Sequence, residues 1–189
     1  KDNVALILGD NFFYAQSLTS KLKECIKLNS GCKVLLHPVN KPELYGVAKV
    51  NKNKKILSLK EKPKKSKSNL AVTGLYFFDN KVINYSKSLK PSKRKEIEII
   101  DLLNKYKAIN KLKAEFLGRG GAWLDTGSIS DFYDTSSFVS TLENRQGLKI
   151  ACLEEIAFNY NWINKSKIIE AINFYGNCIY SQYLKRLLK

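Results

Sequence analysis

Two short apolar stretches, each ending in an aspartate, constrain the fold of this chain more than any other feature. Residues 4–9 are almost wholly apolar and lead into Asp10, and Ala122-Trp123-Leu124 leads into Asp125, where the chain turns. A continuous apolar run is typical of a strand buried on both faces of a parallel sheet. We therefore predict that residues 4–9 form a central strand, and that Asp10 and Asp125 meet at the sheet edge where α/β proteins bind ligands.

The rest of the chain predicts a mixed α/β part followed by a helical part. Helical spacing over residues 17–29, between strands at 4–9 and 32–39, gives the strand–helix–strand unit of a doubly wound sheet. Further strands are predicted at 47–50, 56–60, 69–78, 112–117 and 122–125, and further helices at 81–88, 96–106, 129–143, 153–160, 165–174 and 176–188. We predict two parts, an α/β core at 1–128 and a helical region at 129–189.

Composition excludes several classes of protein. The chain has 189 residues, 44% of them hydrophobic, and no apolar run long enough to span a membrane. Its four cysteines are scattered and its one histidine is His37, so zinc binding is not predicted, and reduced thiols in the cytoplasm are the simple interpretation. The formal charge of +16 indicates either an anionic partner or a general excess of solvated lysines. We favour the second interpretation for most of this charge, and predict neither a nucleic-acid nor a membrane partner.

Carboxylates at a ligand-binding edge suggest metal chemistry. Mg²⁺ takes one or two protein carboxylates and completes its coordination with water and phosphate oxygens. We therefore predict that Asp10 and Asp125 hold one Mg²⁺ against phosphate groups. The chain has no Ser/His/Asp or Cys/His set and no Gly-x-x-x-x-Gly-Lys loop, which argues against covalent hydrolysis and against a P-loop enzyme.

Three other positions are candidates, although each alone is better explained as a surface residue or a turn. Lys62 precedes Pro63, which favours an extended backbone and would aim the ammonium across a cleft as a phosphate-binding charge. Arg94 precedes a predicted helix and could bind a phosphate with two nitrogens. Tyr45-Gly46 could place a ring and bare backbone against a sugar.

Taken in order, these segments resemble one enzyme family, the glucose-1-phosphate thymidylyltransferases. The resemblance covers essentially the whole chain. It is carried by Leu8-Gly9-Asp10-Asn11, Tyr45-Gly46-Val47, Glu61-Lys62-Pro63, Ala71-Val72-Thr73-Gly74-Leu75-Tyr76, Glu96-Ile97-Glu98-Ile99-Ile100-Asp101, Trp123-Leu124-Asp125-Thr126-Gly127, Glu143-Asn144-Arg145-Gln146-Gly147-Leu148-Lys149 and Glu154-Glu155-Ile156-Ala157. Single motifs are shared with other sugar nucleotidyltransferases, and the ordered set is more specific.

The resemblance implies a Rossmann-like nucleotidyltransferase fold with a mixed, mostly parallel sheet and a C-terminal helical region. It implies that dTTP and glucose 1-phosphate react to dTDP-glucose and pyrophosphate, by attack of the sugar phosphate on the α-phosphorus. Asp10 and Asp125 would bind Mg²⁺, and Lys62 and Arg94 would hold the sugar phosphate. The glucose site would be lined by Tyr45, Gly46, Glu61 and Val72.

The resemblance also implies a second, regulatory nucleotide site, with Arg119, Glu155 and Ile156 as parts of it, and a homotetramer. The family's N-terminal third, which carries a Gly-rich triphosphate loop and the residues that read the base, has no counterpart here. We therefore expect a C-terminal portion of a longer chain, with little activity by itself. The choice of nucleotide stays open. So do a related transferase that uses another nucleotide, and a non-catalytic portion that binds sugar phosphate or assembles with other subunits.

Overall fold

The computed structural model describes residues 2–189, which form two compact units, Lys1–Asp131 and Phe132–Lys189. The strands of the first unit are β1 (Val4–Ile7), β2 (Asn11–Tyr14), β3 (Cys32–Pro38), β4 (Gly46–Val50), β5 (Ile56–Glu61), β6 (Leu70–Phe78), β7 (Leu112–Phe116) and β8 (Ala122–Asp125). The helices of the chain are α1 (Leu18–Ile26), α2 (Val82–Lys87), α3 (Ile99–Ala108), α4 (Ile129–Gln146), α5 (Leu153–Asn159), α6 (Lys165–Tyr175) and α7 (Ile179–Arg186). The unit boundary falls within α4.

Strand β6 is the centre of the first unit. It is the longest strand, and eight of its nine residues are buried because both faces of the sheet are covered. Alternation along neighbouring β3 divides the core in two, since Val34 and Leu36 point to one side and Leu35 to the other. One cluster contains Val72, Tyr76, Phe78, Leu103 and Tyr106, and the other contains Cys25, Ala71, Leu75, Phe77, Leu117 and Trp123.

The mixed α/β fold class and the helical region are confirmed, but the expectation of a mostly parallel sheet is wrong. Within residues 2–189, the pairing of β3 with β7 is parallel, whereas the other five strand pairings are antiparallel. Strands β1 and β3 run in the same direction but are not neighbours, because β6 lies between them and pairs antiparallel with both. Strand β1 is not buried either, and Ile7 is 58% exposed.

One further element was not predicted. Strand β2 follows Asp10 directly and pairs antiparallel with β8 in a separate two-stranded sheet. In this pairing Asn11 lies opposite Asp125, and Phe13 lies opposite Trp123. The two aspartates predicted to meet are therefore brought together by a short antiparallel ribbon rather than by the edge of a parallel sheet.

A buried aspartate anchors α3, which carries several residues towards the ribbon. Asp79 is 8% exposed, and its carboxylate accepts hydrogen bonds from the Gly31 amide at 2.6 Å and the Tyr106 hydroxyl at 2.8 Å. Burial raises the pKa of Tyr106, and the bond to Asp79 adds to the effect. Because buried polar groups must be paired, this network fixes the position of α3 against β6.

The second unit packs its helices around a small core of Cys152, Ile168, Ile172, Tyr183 and Leu184. Tyrosine hydroxyls hold the start of α5. Tyr175 donates to Glu154 at 3.0 Å, Tyr180 donates to the same carboxylate, and Tyr183 donates to Glu155 at 2.6 Å. Burial, followed by the bond to Glu155, raises the pKa of Tyr183 to about 12.

Candidate active site

A cleft opens where two strands share one edge of β6. Strand β3 follows the opposite edge along the whole of β6, so β1 and β4 must lie on the same remaining edge. Strand β4 pairs with Leu70 and Ala71, while β1 pairs with residues 75–78, which leaves 72–74 between them. The cleft at this gap has a volume of about 170 Å³, and seven of the predicted site residues line it: Asp10, Tyr45, Gly46, Glu61, Lys62, Val72 and Asp125.

The two aspartates face the same small space beside Gly127. A carbon added to Gly127 would lie 3.1 Å from Asp125 Oδ1 and 3.8 Å from Asp10 Oδ2. The Asp10 carbonyl accepts hydrogen bonds from the amide and the hydroxyl of Thr126, at 2.7 Å and 3.0 Å, which closes the turn after Asp125 onto Asp10. The Thr-Gly sequence is therefore needed to bring the two acids together.

The electrostatics of this pair favour a cation. Burial raises the pKa of Asp125, the Gly127 amide opposes this, and the nearby Asp10 carboxylate raises the pKa further. One oxygen of each acid is engaged, since Asn11 Nδ2 donates to Asp10 Oδ1 at 2.8 Å and the Gly127 amide donates to Asp125 Oδ1 at 2.9 Å. Within residues 2–189 the other oxygen of each acid accepts no hydrogen bond, so both are free to bind a metal ion.

Asn11 connects three parts of the site, and sequence reasoning assigned it no role. Its Oδ1 accepts hydrogen bonds from the Gly74 amide of β6 at 2.9 Å and from Trp123 Nε1 of β8 at 2.6 Å, while its Nδ2 donates to Asp10. An asparagine directly after the Gly-Asp of a strand end was the available signal. Because one side chain satisfies donors from two strands, Asn11 positions Asp10 relative to the floor of the cleft.

The side of the cleft where the resemblance places the sugar is formed by tightly packed groups. A carbon added to Gly46 would lie 2.6 Å from Ile100 Cδ1 and 3.2 Å from Glu61 Oε2, so no larger residue fits there without displacement. Tyr45 packs edge-on against Trp123, with ring centroids 5.0 Å apart. Trp123 is 8% exposed and belongs to the core, and its indole nitrogen also donates to Asn11 in the site.

Arg94 lies beside the cleft, held by three carboxylates. Its guanidinium is 3.6 Å from Glu61, 2.8 Å from Glu96 and 3.7 Å from Glu98. Glu98 is 9% exposed and also accepts a hydrogen bond from Ser92 Oγ at 2.9 Å, so it is the buried anchor of the group. Burial raises the pKa of Glu61, and the Glu98 carboxylate adds to this, while the cations oppose it.

Lys62 lines the cleft, but not with the extended backbone that Pro63 predicts. Its φ is 37°, in the left-handed region that non-glycine residues rarely adopt. Its amide donates to the Tyr45 carbonyl at 3.0 Å, which continues the pairing of β4 with β5 for one residue beyond the strand. The left-handed conformation breaks strand alternation at this point, so that Glu61 and Lys62 both line the same cleft.

The three residues predicted for a regulatory site are divided between the units. Arg119 lies in the exposed Gly118–Gly121 turn of the first unit. Glu155 and Ile156 lie in α5 of the second unit, where Glu155 is held by Tyr183 and Ile156 is 39% exposed. Their common function stays a prediction.

A family match over most of the chain defines the class of protein. Residues 1–141 match the model of the family described as "Nucleotidyl transferase". The chain therefore belongs to the nucleotidyl transferase family.

Particular relatives carry a more specific name. The chain is 47% identical over 188 residues to the glucose-1-phosphate thymidylyltransferase of Neisseria meningitidis, and 42% identical over 188 residues to that of Mycobacterium tuberculosis. Each match covers 100% of this chain and 65% of the relative, so the chain spans about two-thirds of the length of these proteins.

Solved structures agree with the fold. A Bacillus anthracis protein, provisionally named a glucose-1-phosphate thymidylyltransferase and solved in complex with a sucrose, superposes with a TM-score of 0.64 at 39% identity. That match covers 72% of this chain and 54% of the other. A UDP-glucose pyrophosphorylase complexed with UDP-glucose superposes with a TM-score of 0.65 at 24% identity, over 74% of this chain and 57% of the other, which supports the fold alone. None of the helices described is both long and apolar enough to cross a membrane.

Proposed function

We propose that this protein transfers a thymidylyl group from dTTP to glucose 1-phosphate, releasing dTDP-glucose and pyrophosphate. The observation that carries the proposal is the convergence of Asp10, Asp125, Glu61 and Lys62 on one cleft, with Arg94 beside it. The names of the relatives support the choice of substrates, and the family membership supports the reaction class.

The chemistry suits the groups present. A phosphate oxygen of glucose 1-phosphate forms a bond to the α-phosphorus of dTTP, while the bond from that phosphorus to the β-phosphate oxygen breaks and pyrophosphate leaves. Because an ionised phosphate oxygen carries no proton to lose, the step needs positioning and charge neutralisation rather than a general base. In the proposal, Lys62 and Arg94 hold the sugar phosphate and orient its oxygen towards the α-phosphorus.

The sugar itself would be recognised by the floor and walls of the cleft. Glu61 presents a half-buried carboxylate that can accept hydrogen bonds from sugar hydroxyls, and Tyr45, Gly46 and Val72 supply the close-fitting surface around it. Because its pKa is raised, Glu61 loses its charge at a higher pH than an ordinary glutamate does. We propose that Arg94 approaches the sugar phosphate when it exchanges one of its carboxylate partners for phosphate oxygens.

Asp10 and Asp125 fit a Mg²⁺ ion. Each offers one carboxylate oxygen without a hydrogen bond, and the pair matches the one or two carboxylates that this ion takes from proteins. When bound, the ion would neutralise charge on the phosphates of the nucleotide. The two aspartates of this chain would hold the ion beside Lys62 and the sugar pocket.

Regulation and assembly are extensions of the same proposal. We propose that Arg119, Glu155 and Ile156 contribute to a second nucleotide site, that the helical region takes part in subunit contacts of a homotetramer, and that the enzyme works in the cytoplasm. The network of Tyr175, Tyr180 and Tyr183 supports a structural role for the start of α5.

The test is pyrophosphate release by the purified gene product with Mg²⁺, glucose 1-phosphate and each of dTTP, UTP, ATP, CTP and GTP. We expect turnover with dTTP to exceed turnover with the other nucleotides. Preference for another nucleotide would replace dTTP in the proposal and retain the reaction class. No turnover with any nucleotide, in a protein shown to be folded by circular dichroism, would overturn the proposal.

A further inference from the structure

The β4–β5 hairpin has a second face that takes no part in the candidate active site. In the strand register, Gly46 lies opposite Glu61, Val47 opposite Lys60, and Lys49 opposite Ser58. Because side chains alternate along strands, the face with Lys49 and Lys60 is opposite to the face with Ala48 and Leu59, which packs into the core. The hairpin therefore separates two environments.

A cleft of about 660 Å³ lies on this second face. Its floor is the hairpin, and its wall is the loop between β5 and β6, which adds Lys65 and Lys67. Ser68 attaches the loop to the sheet, since its Oγ donates to the Ala48 carbonyl at 2.6 Å. Ser66 braces the loop internally, since its Oγ donates to the Ser68 carbonyl at 2.7 Å. The wall is thus hydrogen-bonded to the strand that forms the floor.

The charge of this cleft is uncompensated. Four lysines line it, no carboxylate does, and within residues 2–189 none of the four forms an ion pair: Lys49, Lys60, Lys65 and Lys67. By contrast, Lys27, Lys149 and Lys167 each pair with a nearby glutamate. Four ammonium groups in one concave site repel each other and concentrate anions, so a bound polyanion would relieve the repulsion.

We propose that this lysine cleft, lined by Lys49, Lys60, Lys65 and Lys67, binds a chain of two or more phosphate groups directly, without a metal ion. Lys49 and Lys60 occupy diagonal cross-strand positions, which lie about 7–8 Å apart, and the loop lysines border a third side. Because the four lysines are spread over the floor and the wall, a chain of phosphates offers more anionic groups to them than a single phosphate does. The inference rests on the lysines alone and does not depend on the proposed reaction.

Three kinds of ligand carry two or more linked phosphate groups: pyrophosphate, free oligophosphate and a nucleoside triphosphate. Calorimetric titrations of the purified gene product with orthophosphate, pyrophosphate, tripolyphosphate and dTTP, without divalent ions, distinguish them. We expect tripolyphosphate to bind more tightly than orthophosphate, with an affinity that falls as salt rises. Tighter binding of dTTP than of tripolyphosphate would identify a nucleotide as the ligand, and tighter binding of pyrophosphate would identify that anion.

Substitutions locate the site. The Lys49→Gln, Lys60→Gln double variant should bind tripolyphosphate about tenfold more weakly, because two charge-assisted contacts are lost. The control is the Lys107→Gln, Lys113→Gln variant, which removes the same charge from another cleft that also contains Glu115, and which should change the affinity less than twofold. Unchanged thermal unfolding shows that each variant is folded.

Two results would overturn the proposal. Equal weakening in both double variants would mean that the total charge, and not this cleft, governs binding. Loss of tripolyphosphate binding in Lys62→Ala but not in the Lys49, Lys60 variant would place the anion in the candidate active site. If substitution on the strands prevents folding, Lys65→Gln with Lys67→Gln in the exposed loop repeats the test.

Discussion

On one face of the β4–β5 hairpin, Gly46 and Glu61 border a cleft that also contains two aspartates, whereas the opposite face presents lysines with no carboxylate beside them. Both clefts suit phosphate groups, but by different means. Carboxylates repel phosphate unless a metal ion stands between them, while ammonium groups contact phosphate directly. In the two proposals, the alternation of side chains along β4 and β5 places a metal-dependent and a metal-independent phosphate site on opposite faces of one hairpin.

The largest effect should come from Asp125→Asn, which removes one of the two predicted metal ligands. We expect turnover to fall by roughly a hundredfold, since about 3 kcal/mol of charge stabilisation corresponds to that factor. Tripolyphosphate binding at the lysine cleft should not change. The matched control is Asp134→Asn, an exposed aspartate on α4. Steady-state kinetics with Mg²⁺ checks this, and a variant with the parent's Mg²⁺-dependent rate would remove Asp125 from the metal site.

Gly74→Ala should disturb the cleft that contains Asp10 and Asp125, because it displaces Asn11. A carbon added to Gly74 would lie 2.5 Å from Asn11 Oδ1, so Asn11 must move away from Trp123 and Asp10. We expect a destabilisation of about 1–3 kcal/mol from overpacking, with a loss of turnover beyond what unfolding explains. Denaturant titration and kinetics measure both effects.

Gly120→Ala is the control for Gly74→Ala, because nothing lies within 4 Å of a carbon added there. Its stability and its turnover should stay close to those of the parent. If Gly74→Ala behaves in the same way as Gly120→Ala, then Asn11 does not position the site.

Lys62→Ala and Lys60→Ala test the candidate active site and the lysine cleft separately, with substitutions only two residues apart. We expect Lys62→Ala to raise KM for glucose 1-phosphate about tenfold, through one lost charge-assisted contact, and KM for dTTP by less. Lys60→Ala should leave both KM values unchanged and weaken tripolyphosphate binding. Arg94→Ala should resemble Lys62→Ala. Equal increases for both substrates would contradict a sugar-phosphate role for Lys62.

The smallest predicted effect is on stability and its dependence on pH. Burial raises the pKa of Asp125 in the folded protein, so its ionised form opposes folding at neutral pH. Without Mg²⁺, Asp125→Asn should therefore raise Tm at pH 7, by on the order of one degree. The difference should shrink as the pH falls through the pKa of folded Asp125 and vanish below the pKa of the unfolded chain, because the parent is then uncharged in both states. A Tm below that of the parent at pH 7 would contradict this.

Local sequence patterns predicted most of the elements but not their pairing. Residues 96–106 were predicted as a helix and α3 spans Ile99–Ala108, and residues 69–78 were predicted as a strand and β6 spans Leu70–Phe78. The direction of β1 could not be predicted, because an apolar run does not specify its partner. Strand β2 was missed because four residues directly after a turn give too short a pattern.

Most residues that line the candidate site could be predicted from the sequence, but the contacts among them could not. The motifs around Asp10, Glu61 and Asp125 named residues that the fold brings into one cleft. Nothing in the charged segment before α3 indicates that Glu98 is the buried member, because burial there depends on how α3 packs. The expectation for Lys62 failed, since its φ is 37° although Pro63 follows and its amide still pairs with the Tyr45 carbonyl, and the local sequence does not account for this conformation.

The gap in the edge of β6 leaves one backbone amide whose protection depends on a side chain. The Gly74 amide donates to Asn11 Oδ1 rather than to a neighbouring strand. Its rate of exchange with deuterium should therefore follow the opening of Asn11, while amides paired within the sheet follow the opening of the sheet. A single exchange rate at Gly74 thus provides a spectroscopic measure of whether the floor of the cleft is intact, independent of any substrate.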